Sequence, residues 1–390
     1  MNTLATKGMK ISLPELCYFI ALSYFLIHEM LLTTMIPYDG VSFYFILVLP
    51  LLLVKIVFSK YNPYQLLLSL LIIIAGILSW RATGNSYPMK VAFFIAAGRG
   101  VQIERIIKCY LGIVVTILLI SFFLSISGTI INLVYTRYRE GRLFIRQAFG
   151  SVYPTNFASH VLYLYLFISY LLREKFGLLL CLTGWGLSYL VYIYNDARFN
   201  AIVLVLAATL FYLVSKGRLN RKIASAFTLA FPVLGLGSIV IAKLFVPYNP
   251  IWRLLNDLFS NRFVLMSRMM NETSLNLFGQ KIRLVGFGKT TQLPETYNYI
   301  DNSYFQIALL YGTVFLILIL ILFSILHRQS LKSENLFLTV LLLTVAISSF
   351  VEENLIAASY NILCISFFAN FGLSKGGENI NDSNEIEIRN

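Results

Sequence analysis

Long apolar runs separated by short polar turns dominate this chain of 390 residues. Runs such as Leu66–Leu78 and Val314–Leu326 show no strict alternation of apolar and polar positions. A helix needs about 20 apolar residues to cross a hydrocarbon core of roughly 30 Å, whereas the strands of a membrane β-barrel alternate over about 10 residues. The pattern therefore predicts an all-α, polytopic transmembrane protein.

Twelve apolar segments are counted as spans, the fourth being short and a candidate for a tilted or re-entrant helix. They cover residues 13–36, 41–58, 64–80, 87–98, 108–131, 155–172, 177–194, 197–214, 224–246, 303–326, 335–350 and 354–373. Two longer polar loops interrupt them, at 132–154 and 247–302. We expect one transmembrane domain over residues 1–373. Residues 374–390 are polar and acidic, which predicts a disordered cytoplasmic tail.

Composition and charge agree with a membrane protein and narrow its partners. The chain is 58% hydrophobic and 13% charged, with a net charge of +13, whereas a soluble domain carries about 25% charged residues. The basic residues are scattered over many short loops, which favours the lipid bilayer and an anionic substrate over nucleic acid. By the positive-inside rule, the alternating basic loops are assigned to the cytoplasm together with both termini, and the two long loops to the outside.

Cofactor chemistry finds little support in the sequence. All four cysteines lie inside apolar segments, where they are expected to act as small core residues. No group of histidine, cysteine and carboxylate residues has the spacing of a metal site, so we expect no metal and no cofactor.

The two long loops are themselves rich in arginine, which the positive-inside rule disfavours outside the cell. They hold Arg137, Arg139, Arg142 and Arg146, and then Arg253, Arg262, Arg268 and Arg283. A guanidinium group binds phosphate in two places at once, so this enrichment predicts a phosphate or diphosphate site. Lipid headgroups and acidic residues of the same loops are the alternative partners.

Two arginines at predicted helix starts are the sharpest candidates. Arg198 follows a tight turn between two spans, and a helix N-terminus at that depth favours an anion. Arg262 begins a segment in which Phe263 and Met266 share one face, which predicts an amphipathic helix on the membrane surface. The alternatives are that Arg198 snorkels to headgroups or pairs with Asp196, and that Arg262 contacts lipid phosphate.

The second loop closes on Asp301-Asn302-Ser303-Tyr304. Asn302 or Ser303 is suited to cap the next helix, and Asp301 or Tyr304 to orient a sugar hydroxyl. Other candidate general bases near the outer ends of spans, each also open to a structural role, are His28, Glu29, His160, Glu352 and Glu353.

The order of three features along the chain resembles that of the bacterial polysaccharide polymerase and O-antigen ligase superfamily. These features are Arg198 at a helix start, Arg262 in the large loop and the Asp301-Asn302 pair. The likeness is to Wzy-type polymerases for capsule, exopolysaccharide or O-antigen, and Leu310-Tyr311-Gly312 follows the pair as it does there. It covers most of the chain in topology and residues 195–312 in motif.

The resemblance implies transfer of a growing glycan from undecaprenyl diphosphate to a sugar hydroxyl of another lipid-linked repeat unit. The reaction takes place on the outer face of the bacterial cytoplasmic membrane, and neither a nucleotide sugar nor a metal takes part. A chain-length regulator and a flippase are the expected protein partners.

Roles are then assigned to individual residues of this sequence. Arg198 and Arg262 would contact the diphosphate, and Asp301 would be the first candidate for general base, ahead of Glu29 and Glu353. The substrate-binding candidates are Asn302, Tyr304, Arg268 and His160.

Three other functions compete with the polymerase. An O-antigen ligase commonly has a histidine near the closing position of the loop, whereas this chain has none between His160 and His327. A repeat-unit flippase or other transporter should place charges deep in several spans and show two related halves, and neither feature is found. A membrane assembly factor without catalysis is the last alternative.

Overall fold

The computed structural model describes residues 11–40, 44–139 and 141–372. These residues form fifteen α-helices and one two-stranded hairpin, so the helical prediction is confirmed while a purely α architecture is not. Within the described part of the chain, seven helices are long and apolar enough to cross a membrane, and three shorter helices are also apolar. The protein is therefore a helical membrane protein. The predicted tail at 374–390 lies outside the described residues.

The helices are numbered in chain order. They are α1 (Leu13–Leu32), α2 (Tyr44–Val57), α3 (Pro63–Thr83), α4 (Tyr87–Ala97), α5 (Ile103–Ile126), α6 (Pro154–Leu171), α7 (Leu178–Asn195), α8 (Arg198–Ser215), α9 (Arg221–Ala226), α10 (Ala230–Leu244), α11 (Pro250–Leu258), α12 (Arg262–Glu272), α13 (Ser303–Leu310), α14 (Thr313–Lys332) and α15 (Leu336–Ser349). The predicted short fourth span is the 11-residue helix α4.

The first long loop contains a β-hairpin that the span pattern did not predict. Strands β1 (Val134–Arg139) and β2 (Arg142–Gln147) pair antiparallel between α5 and α6, with Val134 opposite Gln147. Gly141 lies in the turn with a φ of 74°, a left-handed conformation that glycine adopts without strain.

The two ends of the bundle differ in character. At one end, residues of the basic loops pair with the few acids nearby: Arg105 lies 2.8 Å from Glu15, and Arg173 lies 2.7 Å from Glu104. The other end collects the long loops and is called the loop end. It comprises residues 33–40, 83–86, 127–153, 195–198, 245–302 and 350–354.

The predicted span at 303–326 is two elements. At its start, the Asn302 side chain donates to the carbonyl of Phe350 over 2.7 Å. Just after the last residue of α13, the Tyr311 hydroxyl accepts from the side-chain amide of Asn85 over 3.3 Å. Both partners belong to the loop end, so α13 runs across that end and α14 is the membrane-crossing helix.

The break between α13 and α14 depends on a close backbone crossing at Gly312. This residue has a φ of 100°, and a Cβ placed there would lie 2.4 Å from the carbonyl oxygen of Leu277. Gly279 approaches the same crossing from the other side, where a Cβ would lie 2.1 Å from the carbonyl oxygen of Leu310. The crossing fixes the end of the large loop onto the start of α14.

Replacing Gly312 with alanine is expected to lower the free energy of unfolding by about 2 kcal/mol or more, because the φ is strained for alanine and backbone atoms block its Cβ. The matched control is Gly186→Ala in α7, where no atom lies within 4 Å of an added Cβ. Denaturant titration of both variants in detergent micelles measures the difference. Equal stabilities of the two variants would contradict this account.

The predicted span at 354–373 is not a regular helix over its described residues. We call residues 354–370 the crossing segment; it is almost wholly buried and contains only a short 3₁₀ turn at Ile362–Ile365. It begins beside the loop end and reaches the other end, where the Asn370 amide donates to the carbonyl of Val101 over 2.8 Å.

Neighbouring side chains satisfy the backbone of the crossing segment. The Tyr87 hydroxyl donates to the carbonyl of Ile356 over 3.0 Å, and the Tyr110 hydroxyl to that of Tyr360 over 2.7 Å. The Asn361 amide donates to the carbonyl of Leu355 over 2.7 Å. Irregular backbone is tolerated at membrane depth only where protein surrounds it, and these contacts explain why the apolar run need not be helical.

Candidate active site

The large loop folds two amphipathic helices onto α10. Phe263 and Met266 of α12 are buried in one cluster with Ala242 and Phe245 at the end of α10, which confirms the predicted amphipathic helix at 262. A sharp turn joins α11 to α12, with φ values of 55° at Ser260 and 64° at Asn261. This turn directs the first residue of α12, Arg262, into the protein.

Arg262 is a buried cation between two carboxylates. Its Nη2 atom lies 3.2 Å from Oε1 of Glu352 and 3.6 Å from Oδ2 of Asp301. The Arg262 side chain is only 13% exposed, and its Nε has no hydrogen-bond partner within the described residues. Arg262 thus has an acidic partner in its own loop, Asp301, which is the alternative that the sequence left open for the loop arginines. Glu352 arrives from the end of α15 as a third member.

Glu353 extends the group of acids. The hydroxyl of Tyr299 donates to Glu353 Oε2 in a short hydrogen bond, and the Gln306 amide donates to the same atom over 2.9 Å. The Ser303 hydroxyl donates to the carbonyl of Glu352, which ties the start of α13 to this turn. Two neighbouring glutamates are therefore held where the large loop closes.

Burial shifts these acids towards neutral pH. Burial raises the pKa of Glu352 to about 8, with Arg262 opposing the rise. Burial raises the pKa of Glu353 to about 7, opposed by its hydrogen bonds from Tyr299 and Gln306. The pKa of Asp301 is also raised by burial and opposed by Arg262, but its side chain is 31% exposed, so water limits the rise. The two glutamates can therefore hold or release a proton near pH 7.

A cavity of about 430 Å³ opens between the hairpin and the large loop. Aromatic rings form part of its wall: Tyr153 stacks on Phe287 with centroids 5.5 Å apart, and Tyr135 meets the edge of Phe287 at 5.3 Å. Arg137 and Arg146 also line it. Aromatic faces beside guanidinium groups are suited to a sugar ring and a phosphate, respectively.

Arg146 links this cavity to the acid cluster and was missed as a site residue by sequence reasoning. It is 9% exposed; its Nε donates to the carbonyl of Asn195 over 3.1 Å, and its Nη1 to the Tyr153 hydroxyl over 3.3 Å. Its charge lowers the pKa values of Asp301 and Glu352. Arg146 faces inward from β2. This orientation could have identified it as a site residue, but it is recognisable only once the hairpin register is known.

Arg198 lies apart from the Arg262 cluster. It begins α8 as predicted, but its Nε pairs with Asp196 over 3.3 Å and its side chain is 45% exposed. The guanidinium carbon lies 6.0 Å from the centroid of Phe144 in the hairpin. The structure thus realises the pairing with Asp196 that the sequence left open, and places Arg198 beside the hairpin.

Asn302 and Tyr304 have structural surroundings. Asn302 is 1% exposed, accepts from the amide of Phe305 over 2.8 Å and donates to the Ser238 hydroxyl over 2.9 Å, so it caps α13 and ties it to α10. Tyr304 is fully buried, with its hydroxyl donating to the carbonyl of Ala346 over 2.8 Å. Their polar groups are thus bonded within the protein, and the substrate contacts expected of both residues stay predictions.

His160 and Arg268 have partners other than the carboxylates of the acid cluster. His160 is fully buried, stacks on Tyr360 with centroids 4.2 Å apart, and has its Nε2 3.0 Å from the Thr33 hydroxyl. Arg268 is 57% exposed and pairs with Glu272 one turn further along α12. The binding roles of His160 and Arg268 stay predictions, with His160 packed in the interior and Arg268 at the surface.

Comparisons with protein-family models, with curated proteins and with solved structures found no match.

Proposed function

We propose that the protein is a membrane glycosyltransferase that polymerises oligosaccharide units carried on a lipid diphosphate, with the loop end on the outer face of a bacterial cytoplasmic membrane. The observation that supports this most is the acid cluster on Arg262. There, Glu352 contacts a buried guanidinium and Glu353 follows it in the chain, both with pKa values near neutrality, while Arg146, whose charge lowers the pKa of Glu352, lines the aromatic cavity. A base, an anion-stabilising cation and a sugar-sized cavity are the three elements that glycosyl transfer from a diphosphate needs.

The reaction assigns each element a part. A hydroxyl of the acceptor sugar attacks the anomeric carbon of the donor, the bond from that carbon to the diphosphate oxygen breaks, and the lipid diphosphate leaves. The hydroxyl proton passes to Glu353, which is half deprotonated near its pKa of about 7. Arg262 and Arg146 stabilise the negative charge that develops on the leaving group, because prepositioned guanidinium groups in a water-poor site act strongly on such charge.

The carboxylates around Arg262 must give way to the diphosphate for this scheme to operate. The pKa of Glu352 of about 8 makes this possible, because a protonated Glu352 is neutral and no longer balances the positive charge of Arg262. In the absence of substrate, Asp301 and Glu352 keep the buried cation paired. Asp301 is therefore proposed as the counter-ion of Arg262, and Glu353 takes over the role of general base that was first assigned to Asp301.

Arg198 is proposed to guide the diphosphate from the rim of the site, because it lies exposed beside the hairpin and its pairing with Asp196 is accessible to water. Ion pairs of this kind stabilise by about 0–1 kcal/mol and exchange partners at little cost. The chain-length regulator and the flippase expected as partners belong to the same proposal.

The test uses purified protein with lipid-diphosphate-linked repeat units and follows the products by gel electrophoresis. Wild-type protein should give a ladder of longer glycans. Arg198→Ala should reduce the yield about tenfold or more, since one charge-assisted contact to the anion is lost, while Arg253→Ala, which removes an exposed arginine of α11, should match wild type.

Other outcomes would replace the proposal. Faster movement of lipid-linked sugar across vesicles without a ladder would show a flippase. Transfer of the glycan to a lipid A core acceptor without a ladder would show a ligase. Equal yields from Arg198→Ala and Arg253→Ala would remove Arg198 from the site.

A further inference from the structure

A second cavity lies at the loop end, between α1, the turn from α3 to α4, and residues 281–283 of the large loop. Its volume is about 670 Å³. Three cationic side chains line it, from widely separated parts of the sequence: Lys90, Lys281 and Arg283. None of these three has a part in the proposed glycosyl transfer.

Lys90 is the unusual member. It is only 9% exposed, and its ammonium group lies 4.3 Å from the centroid of the Tyr44 ring. Within the part of the chain that the structure describes, it has no hydrogen bond or ion pair. The Phe45 ring lies 6.0 Å from the same ammonium group, and Glu29 attracts it from a distance beyond an ion pair. A buried ammonium group is costly unless an anion in direct contact completes its surroundings. Its position on the cavity wall shows where that anion would be.

The remaining surroundings also favour an anion. α4 begins at the cavity wall, so the positive end of its dipole adds to the charge there, although the Tyr87 amide already donates to the Asn85 side chain over 2.9 Å and Pro88 has no N–H group. Asp39 is the acid that lines the cavity, and Glu29 lies nearby, accepting from the Tyr44 hydroxyl over 3.3 Å. Three cations against two carboxylates leave a net positive site.

The cavity adjoins the surface that faces lipid. Leu32 at the end of α1 lines it and is 43% exposed. Ile27, one turn earlier, is 42% exposed, and Ile46 and Leu47 of α2 are 65% and 68% exposed. An apolar chain lying along these helices would bring its headgroup directly to the three cations. This continuity separates a lipid from a free ion as the occupant.

We propose that this cavity binds the phosphate group of a membrane lipid, with Lys90 as the buried contact and Lys281 and Arg283 closing over it from the large loop. A phosphate monoester, as in phosphatidic acid, suits the site because it carries more than one negative charge and three acceptor oxygens. Arg283 can hold two of these oxygens at once. The proposal is independent of glycosyl transfer.

The test uses the full chain in maltoside micelles, which contain no phosphate, and measures binding of fluorescent phosphatidic acid by anisotropy. Lys90→Met should weaken binding about tenfold or more, as expected when a charge-assisted contact to the phosphate is lost. The double variant Lys281→Gln/Arg283→Gln should do the same. The matched control Arg253→Gln/Lys289→Gln removes the same charge from exposed positions of the same loop and should bind like wild type.

Competitors identify the ligand. Dioleoyl phosphatidic acid should displace the probe, whereas dioleoylglycerol and inorganic phosphate should not at the same concentration. Displacement by dioleoylglycerol would mean that only the chains are bound, and displacement by inorganic phosphate would mean a free-ion site. Equal loss in the control double variant would mean general surface charge. Each of these three results overturns the proposal. If Lys90→Met aggregates on gel filtration, the Lys281→Gln/Arg283→Gln variant, altered only at exposed positions, decides.

Discussion

Replacing Arg262 with methionine should abolish polymer formation and lower the free energy of unfolding by about 3 kcal/mol, the cost of removing one partner from a buried ion pair. Arg262 is 13% exposed and lies between Asp301 and Glu352. Without it, two carboxylates remain buried or must take up protons. Methionine keeps much of the apolar stem of arginine, so the losses of polymer formation and of stability can be attributed to the missing charge.

The measurement is a double-mutant cycle in detergent. Glu352→Gln removes the closest partner, and the double variant Arg262→Met/Glu352→Gln should be more stable than the sum of the single losses predicts, with a coupling of about 1–3 kcal/mol. Arg268→Met in the same helix is the control, because its exposed pair with Glu272 should contribute less than about 1 kcal/mol. Full polymer yield from Arg262→Met protein that inserts normally would refute the proposed role.

Polymer formation should fall as the pH drops through about 7, because Glu353 accepts the acceptor proton only when it is deprotonated and its pKa is raised to about 7. Glu353→Gln should lower the rate about 10²–10⁴-fold, the range typical of a lost general base, and should flatten this pH dependence. The exposed loop carboxylate Glu295 supplies the control variant Glu295→Gln. An unchanged pH profile in Glu353→Gln would assign the proton to another group.

Glu353 also affects stability, with a defined sign. Its pKa in the folded protein is raised from 4.5 to about 7, so the folded state binds the proton more tightly than the unfolded state. The stability contributed by this proton is complete below the unfolded pKa and is lost as the pH rises through about 7. Wild-type protein should therefore lose stability between these values relative to Glu353→Gln, which thermal unfolding at several pH values can measure.

Hydropathy predicted the membrane class and most of the helices, because a helix is the default way for an apolar run to satisfy its own backbone in lipid. It failed at 354–373, where the partners of the backbone come from elsewhere. Tyr87 and Tyr110 supply hydrogen bonds that no local pattern reveals. At 303–326 the apolar run continues through Gly312, and only the close approach of Leu277 shows why the helix breaks there.

The candidate site was predictable in part for a similar reason. Arg262 and Asp301 were both predicted as site residues of the large loop, but their contact depends on the turn at Ser260 and Asn261, which no local pattern revealed. Glu352 and Glu353 were visible only as an acidic pair in a turn, since their approach to Arg262 depends on how α15 packs. The hairpin had a local signal in the β-branched and aromatic residues on either side of Gly141, but without alternation this signal is weak, and the inward position of Arg146 depends on the hairpin register.

The irregular path of residues 354–370 has a consequence for biogenesis. A helix can leave the translocon and enter lipid alone, whereas this segment exposes carbonyl groups until Tyr87 of α4 and Tyr110 of α5 bind them. We therefore expect it to dock only after these two helices have assembled. Because Glu352 and Glu353 lie between α15 and this segment, we expect the acid cluster to reach its final arrangement only at that step.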